Sequence, residues 1–584
     1  MRCASLKPTR SSDYFRSHMR LFARLPGTLS DRWWFALPAF ALLLLTPPLL
    51  HGQPFLIWDT AQYYHYGFQL FDFATAKIGR SIELDVLQRS EIAKQHGSGN
   101  LDDGPGDRAR TTPNAFDKAL IDQKSQAGGM ATYGGRSPFY SMWLYSVTWA
   151  FSLWGVLITQ AVAIAWIIWR AATHAAGVHR FEAGVAIVAV GTFCASAGFV
   201  TGFVMPDIYA AVAVACAALL FAYADRMSSL ERVGLAAVLA ASAAFHATHL
   251  AVAAALTLVG IGATHFLSSE KRLLRSRALL ATASALGVAV ALQFAFDTAA
   301  RAVLGASPKR PPFLMGRLLA DGPGRLYLDS VCPETATFLV CAYRNGSFET
   351  SDQFLWGVFQ TLPVEQRLRL IEEEPRFVTA VAMHYPLSVL KSAVANAVEQ
   401  FVLVWPAEAW IDPGASFSDP PWSGADLFQV APFLSLCVAN LGRCVPVLPE
   451  AWIASSVAIT VVLSFGVIAA HFVAARRRTT GTQARERAYE RAIIFAFLIL
   501  VGLVVNAGIC GAISGPHARY QARVVWLAVL AAGVLEANHP IILPRFRRMF
   551  ARVTDCEVAS AFRAHIPICL NILHKMRRLL GRLP

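Results

Sequence analysis

Apolar stretches of roughly 20 residues recur ten times along this chain, at 33–50, 155–172, 181–203, 207–224, 231–247, 249–267, 278–303, 451–474, 492–513 and 523–538. Stretches of about that length cross the hydrocarbon core of a bilayer as helices. In lipid a spanning segment must satisfy its own backbone N–H and C=O groups, so the pattern predicts an all-α polytopic membrane protein of about ten spans. Composition agrees. The 584 residues are 55% hydrophobic and only 15% charged, whereas a soluble domain carries about 25% charged residues.

Charge orients the ladder. Residues 1–32 hold seven Lys/Arg against two acids, and the tail 539–584 holds nine against two. Short basic segments stay on the cytoplasmic side. Leu37–Leu50 runs into His51-Gly52-Gln53-Pro54 with no small-residue cleavage site, which reads as an uncleaved first helix. With the N-terminus inside, the inner connections are 170–180, 225–232, 268–277 and 475–491. They carry Arg170 and Arg180, Arg226 and Arg232, Lys271, Arg272, Arg275 and Arg277, and six Arg between Arg476 and Arg491. Both termini then lie inside, and the net charge of +14 belongs to these segments rather than to a nucleic-acid surface.

Seven spans thus fall in 33–303 and three in 451–538, leaving two large outer regions, 51–137 and 304–450. The first has a turn-forming middle, 95–114. It ends at Gly134-Gly135-Arg136-Ser137-Pro138, ahead of an aromatic run, Phe139–Trp154, that reads as a surface or re-entering helix. In the second, Cys332 with Cys341 and Cys437 with Cys444 are close pairs, read as disulfides of an oxidising compartment. Cys194, Cys216 and Cys510 lie in apolar spans as small hydrophobes. Helical spacing runs over 364–404, and Tyr385–Trp405 reads as an amphipathic helix on the membrane surface.

Four features cluster at outer turns. Asp59 follows the first span among Trp58, Tyr63, Tyr64 and Tyr66, a setting that suits either a helix cap in an aromatic belt or a substrate pocket. Met205-Pro206-Asp207 opens the fourth span, where the acid is an N-cap, a functional membrane-edge carboxylate, or both. His246 and His249 are three apart and can share a face, or be a buried pair satisfied by Thr248 and backbone. Last comes Gly515-Pro516-His517-Ala518-Arg519-Tyr520-Gln521-Ala522-Arg523. Arg519 and Arg523, four apart at a helix start, have the geometry and dipole to hold a phosphate. Outside, positive-inside bias gives no reason for arginine.

In the order and sidedness of these motifs, the chain resembles the GT-C superfamily of membrane glycosyltransferases, in the branch of protein O-mannosyltransferases and the lipid A aminoarabinose transferase. The likeness spans about 33–303 and 450–538. It rests on Asp59 after the first helix, Met205-Pro206-Asp207 before the fourth, Arg519-Tyr520 late in the chain, and Gly135-Arg136-Ser137-Pro138-Phe139-Tyr140. His246 and His249 stand where the family often has a Lys, and Thr60 follows Asp59 where a second acid is usual.

The resemblance implies transfer of a sugar from a polyprenyl-phosphate donor to an acceptor hydroxyl at the periplasmic face of a bacterial inner membrane. Asp59 and Asp207 are the expected catalytic acids, with Asp59 as general base. Arg519, Tyr520, Arg523 and Arg136 are expected at the donor phosphate, and Trp58, Tyr63, His246, His249 and His517 in the pocket. A divalent ion, if required, would fall to Asp59 and Asp207. The expected partners are the donor, the bilayer and a glycan, lipid or protein acceptor, with no nucleic acid. A transporter or flippase, or a non-catalytic binder of lipid-linked glycans, is the rival; spans built of Ala, Leu and Val offer such a path few polar groups.

Overall fold

The computed structural model describes residues 33–79, 136–267, 271–304, 309–335, 338–417 (except 345 and 347), 425–476 (except 447) and 483–544 (except 543). The basic segment 1–32, the stretch 95–114, Gly135 and the tail beyond 544 lie outside the described residues. The described chain is helical; among these residues an isolated parallel bridge joins Phe55 to Phe203.

Helix α1 is Trp33–Leu44, followed after Leu45 by a short helix, Thr46–His51, started by Pro47 and Pro48 and closed by Gly52 at φ 83°. Helix α2, Trp58–Gly79, leads out of this turn. Helix α3 is Pro138–Ala176, with Ser137 as N-cap accepting the Tyr140 N–H. Within this range two helices meet at a kink at Ser152, at φ 63° and ψ 179°, a conformation that essentially only glycine adopts without strain. The break falls near the end of the aromatic run Phe139–Trp154 and ahead of the 155–172 span.

Next come α4, Arg180–Phe193, with a short helix Ala197–Gly202; α5, Ile208–Tyr223; α6, Ser229–Phe245; α7, Ala247–Leu267; and α8, Lys271–Leu304. In the second large region, α9, Val364–His384, and α10, Pro386–Val402, meet at an angle of 104° at Tyr385, because Pro386 cannot continue the helix before it. The chain closes with α11, Glu450–Arg476; α12, Gln483–Ile509; α13, Ala518–Val525; and α14, Leu527–Asn538.

Among the described residues six helices are long and apolar enough to cross a membrane: Pro138–Ala176, Ala247–Leu267, Ser276–Ala302, Glu450–Arg476, Gln483–Ser514 and Ala518–Asn538. A seventh is reached if α9 and α10 count as one broken span, and α1 and α5 are apolar but shorter. The sequence count of ten joins helices across breaks that the fold keeps, at Leu45 and at Cys194–Ser196.

Helix α5 is the axis of the bundle. Each of its residues from Ile208 to Tyr223 is buried, and its Ala-rich surface lets α6, α7 and α12 pack closely against it. Asp207 precedes it and Asp225 follows it, about 27 Å apart at 1.5 Å per residue. At the Asp225 end, Arg491 pairs with Asp225, and Glu231 accepts from Arg170 and meets His174 at 2.8 Å. The Asp207 end holds the candidate site.

The second outer region has a core of its own, with Met315, Leu328, Phe354, Phe359, Phe377 and Val381 buried together. Disulfides join Cys332 to Cys341 and Cys437 to Cys444, with Cα atoms 5.5 and 5.6 Å apart. On α10 the stripe Leu387, Leu390, Val394, Val398 and Val402 is exposed, while buried Gln400 faces α13.

Candidate functional site

Two hydrogen bonds bring the loop after the first span to the turn before α5: Phe55 N–H to Gly202 O at 2.9 Å and Val204 N–H to Phe55 O at 3.1 Å. Thr60 Oγ1 accepts the Ile57 N–H at 3.2 Å and donates to Val204 O at 3.2 Å. Thr60 thus seats the first turn of α2 and aims its neighbour Asp59 inward.

Asp59 does not cap a helix. Its carboxylate lies between two guanidiniums: Arg136 on Oδ1, and Arg519 on Oδ2 at 2.8 Å. Arg136 also donates Nε–H to Gln62 Oε1 at 2.8 Å and lies over the Tyr63 ring at 5.4 Å. Burial pushes the Asp59 carboxyl up, but Arg136 and Arg519 outweigh it and hold the group below the ordinary carboxylate range. Burial pushes the Tyr63 hydroxyl well up. Trp58, half-buried, opens α2 one residue ahead of Asp59.

Asp207 stands at the N-cap position of α5, yet its side chain makes no capping bond. It accepts from Arg523 Nη1 at 3.0 Å instead, a pair whose side chains are only 9% and 2% exposed. Arg523 also reaches Asn506 Oδ1 and Cys510 Sγ, each at 3.1 Å, and Thr248 Oγ1 at 3.5 Å. Arg519 and Arg523 lie at 5.1 and 5.0 Å from the Tyr520 ring centroid. Both arginines of the late turn are therefore present, stacked on one tyrosine, and each is already paired with an early acid.

The histidines are less poised. His246, half-buried, has Nδ1 2.8 Å from Thr248 Oγ1; His249 Nδ1 sits 3.0 Å from Ser242 O, while its Nε2 is buried with no hydrogen-bond partner among the described residues. Among the described residues no three His, Cys, Asp or Glu gather as a metal would need. Asp59 and Asp207 each direct their charge to arginine. His517 lies 3.7 Å from Asp352 Oδ2; burial, with Arg519, lowers its pKa from the ordinary imidazole value against the opposing pull of Asp352 and Asp59.

Sequence reasoning missed four residues that fix the late turn. Gln400 clamps His517 by both backbone groups at 2.9 Å. Asn506 Nδ2 donates to Tyr520 O at 2.6 Å and to Gln521 Oε1 at 3.1 Å. Arg317, paired with Asp321, lies against Gly515, whose φ of 98° and lack of a side chain make room for it. Glu408 Oε1 accepts the Arg519 backbone N–H at 3.0 Å. A lone Gln, Asn or Glu in an apolar or irregular stretch is the one signal that pointed to them.

No protein-family model, curated protein or solved structure matches this chain.

Proposed function

We propose that the chain is a membrane glycosyltransferase of GT-C type. It moves a hexose or pentose from a polyprenyl-phosphate donor to an acceptor hydroxyl at the periplasmic face of a bacterial inner membrane. In this reading the broken and short apolar helices complete a ladder of about ten spans, with the Asp207 end of α5 outward and the Asp225 end inward.

One observation carries the reading: Asp59 and Arg519, 460 positions apart, meet at 2.8 Å, with Arg136 on the same carboxylate and Arg523 across Tyr520. Asp59, Asp207, Arg136, Arg519 and Arg523 together carry a net charge of +1, which matches the single charge of a polyprenyl phosphodiester. The donor phosphate competes with Asp59 for Arg519 and Arg136 and takes the place that the carboxylate fills in its absence. As the sugar leaves, the phosphate gains a second negative charge, and fixed guanidiniums at low dielectric lower the cost of that charge. Asp59 is the expected base, but two arginines make it a weak one. It acts as the counter-ion that keeps the phosphate-binding groups in place, and a separate proton acceptor is required.

Purified protein in lipid nanodiscs, given labelled polyprenyl-phosphate hexose or pentose and an envelope extract, should transfer label to the extract. Label crossing a sealed bilayer without transfer favours a flippase, and donor retention without either favours a non-catalytic binder.

A further inference from the structure

We propose that Glu408 is the residue that takes the proton from the acceptor hydroxyl, a second carboxylate of this site supplied by the 304–450 region. The proposal rests on the transferase reading.

Glu408 lies in a 3-10 turn, Ala407–Trp410, fixed on both sides. Trp405 Nε1 donates to Glu450 Oε1 at 3.2 Å, Trp410 Nε1 donates to Leu448 O at 2.8 Å, and the Trp410 ring lies 5.2 Å from Phe199. One oxygen, Oε1, is held by the Arg519 N–H. The other, Oε2, is buried with no hydrogen-bond partner among the described residues. An unsatisfied buried carboxylate oxygen is costly, and a catalytic role is one of the few reasons for a fold to keep one. Arg519 thus holds two acids, Asp59 by its guanidinium and Glu408 by its backbone.

The two acids differ in basicity. Asp59 has two guanidiniums and is depressed. Glu408 is raised above the ordinary carboxylate range, by burial first, against the smaller opposing pull of Arg519; Asp207 adds to the rise. The other charged groups near the turn are Glu450, tied to Trp405, and Asp59 and His517 beyond Arg519. A higher pKa makes the stronger base.

The step balances. The acceptor O–H bond breaks and its proton moves to Glu408 Oε2. The acceptor oxygen bonds to the anomeric carbon, and the bond from that carbon to the phosphate oxygen breaks, its electron pair leaving with polyprenyl phosphate. Glu408 loses its negative charge as the phosphate gains one, so the total charge around Arg519 stays constant.

The test compares wild type, Glu408→Gln and Glu408→Asp in nanodiscs, with labelled polyprenyl-phosphate sugar and envelope extract, over pH 4.5–8.5. Glu408→Gln should keep the wild-type melting temperature and its binding of polyprenyl phosphate, yet lose turnover at least 100-fold. Glu408→Asp should retain part of it. The base must be ionised, so wild-type kcat/KM should fall as pH drops through a pKa above that of ordinary glutamate. In Glu408→Gln that acid limb should be absent from the residual rate. Wild-type transfer with Glu408→Gln within threefold of it, or with the acid limb unchanged, overturns the assignment and leaves the transferase reading standing. No transfer by wild type from any donor overturns both.

Discussion

Arg519 and Arg523 are four residues apart on one turn and face opposite demands. Arg519 is 21% exposed and pairs with Asp59. Arg523 is 2% exposed and held by Asp207, Asn506 and Cys510. A ligand can draw the first away from its acid, while the second is structural support for the stacked Tyr520. The two acids should therefore respond differently to substitution. Asp59→Asn removes a competitor for Arg519 and Arg136, so polyprenyl phosphate should bind severalfold more tightly while turnover drops at least tenfold. Equilibrium binding beside single-turnover transfer measures both, and weaker phosphate binding would contradict the role given to Asp59. Asp207→Ala leaves a buried guanidinium without a counter-charge, a change that costs about 3–5 kcal/mol. Its mark should be a large loss of melting temperature before any assay is run.

At the scale of helices, the site depends on α2 and α3 lying close enough for Arg136 to reach Asp59. Gly67 permits that approach, since a Cβ there would run into the Ser141 carbonyl and the Tyr145 side chain. Gly67→Ala should push α2 from α3, lower the melting temperature and reduce donor binding together; an unchanged melting temperature would show that the helices can shift at little cost. Sequence legibility divides along the same line. Asp59, Asp207, Arg519 and Arg523 stood out because each interrupts apolar sequence at a turn, where a charge is costly without a purpose. Glu408, Gln400 and Asn506 did not. Glu408 sits in an irregular segment without period, and the two amides are single polar residues on helices whose partners lie more than a hundred positions away or across a turn. Long-range pairing of that kind leaves no local pattern. The aromatic run after Pro138 is legible as a helix apart from the span that follows, since the two meet at a kink at Ser152.

Across the whole molecule, a periplasmic transferase needs the site to face away from the cytosol. Helix α5 separates two charged ends. The Asp207 end is joined to the region that holds both disulfides, and the Asp225 end is joined to the Arg-rich connections. Positive-inside bias favours the cytosol for the latter, and disulfides persist in an oxidising compartment; both support the proposed orientation. Single cysteines report it directly, in a background with Cys3, Cys194, Cys556 and Cys569 replaced by Ser. Glu365, exposed at the start of α9, and Ser229, exposed at the start of α6, lie on opposite sides in the proposed orientation. In intact spheroplasts an impermeant maleimide should label Glu365→Cys, and should label Ser229→Cys only after the membrane is opened. The opposite pattern would turn Asp59, Glu408 and Arg519 toward the cytosol and remove the periplasmic transferase reading, whatever the geometry of the site.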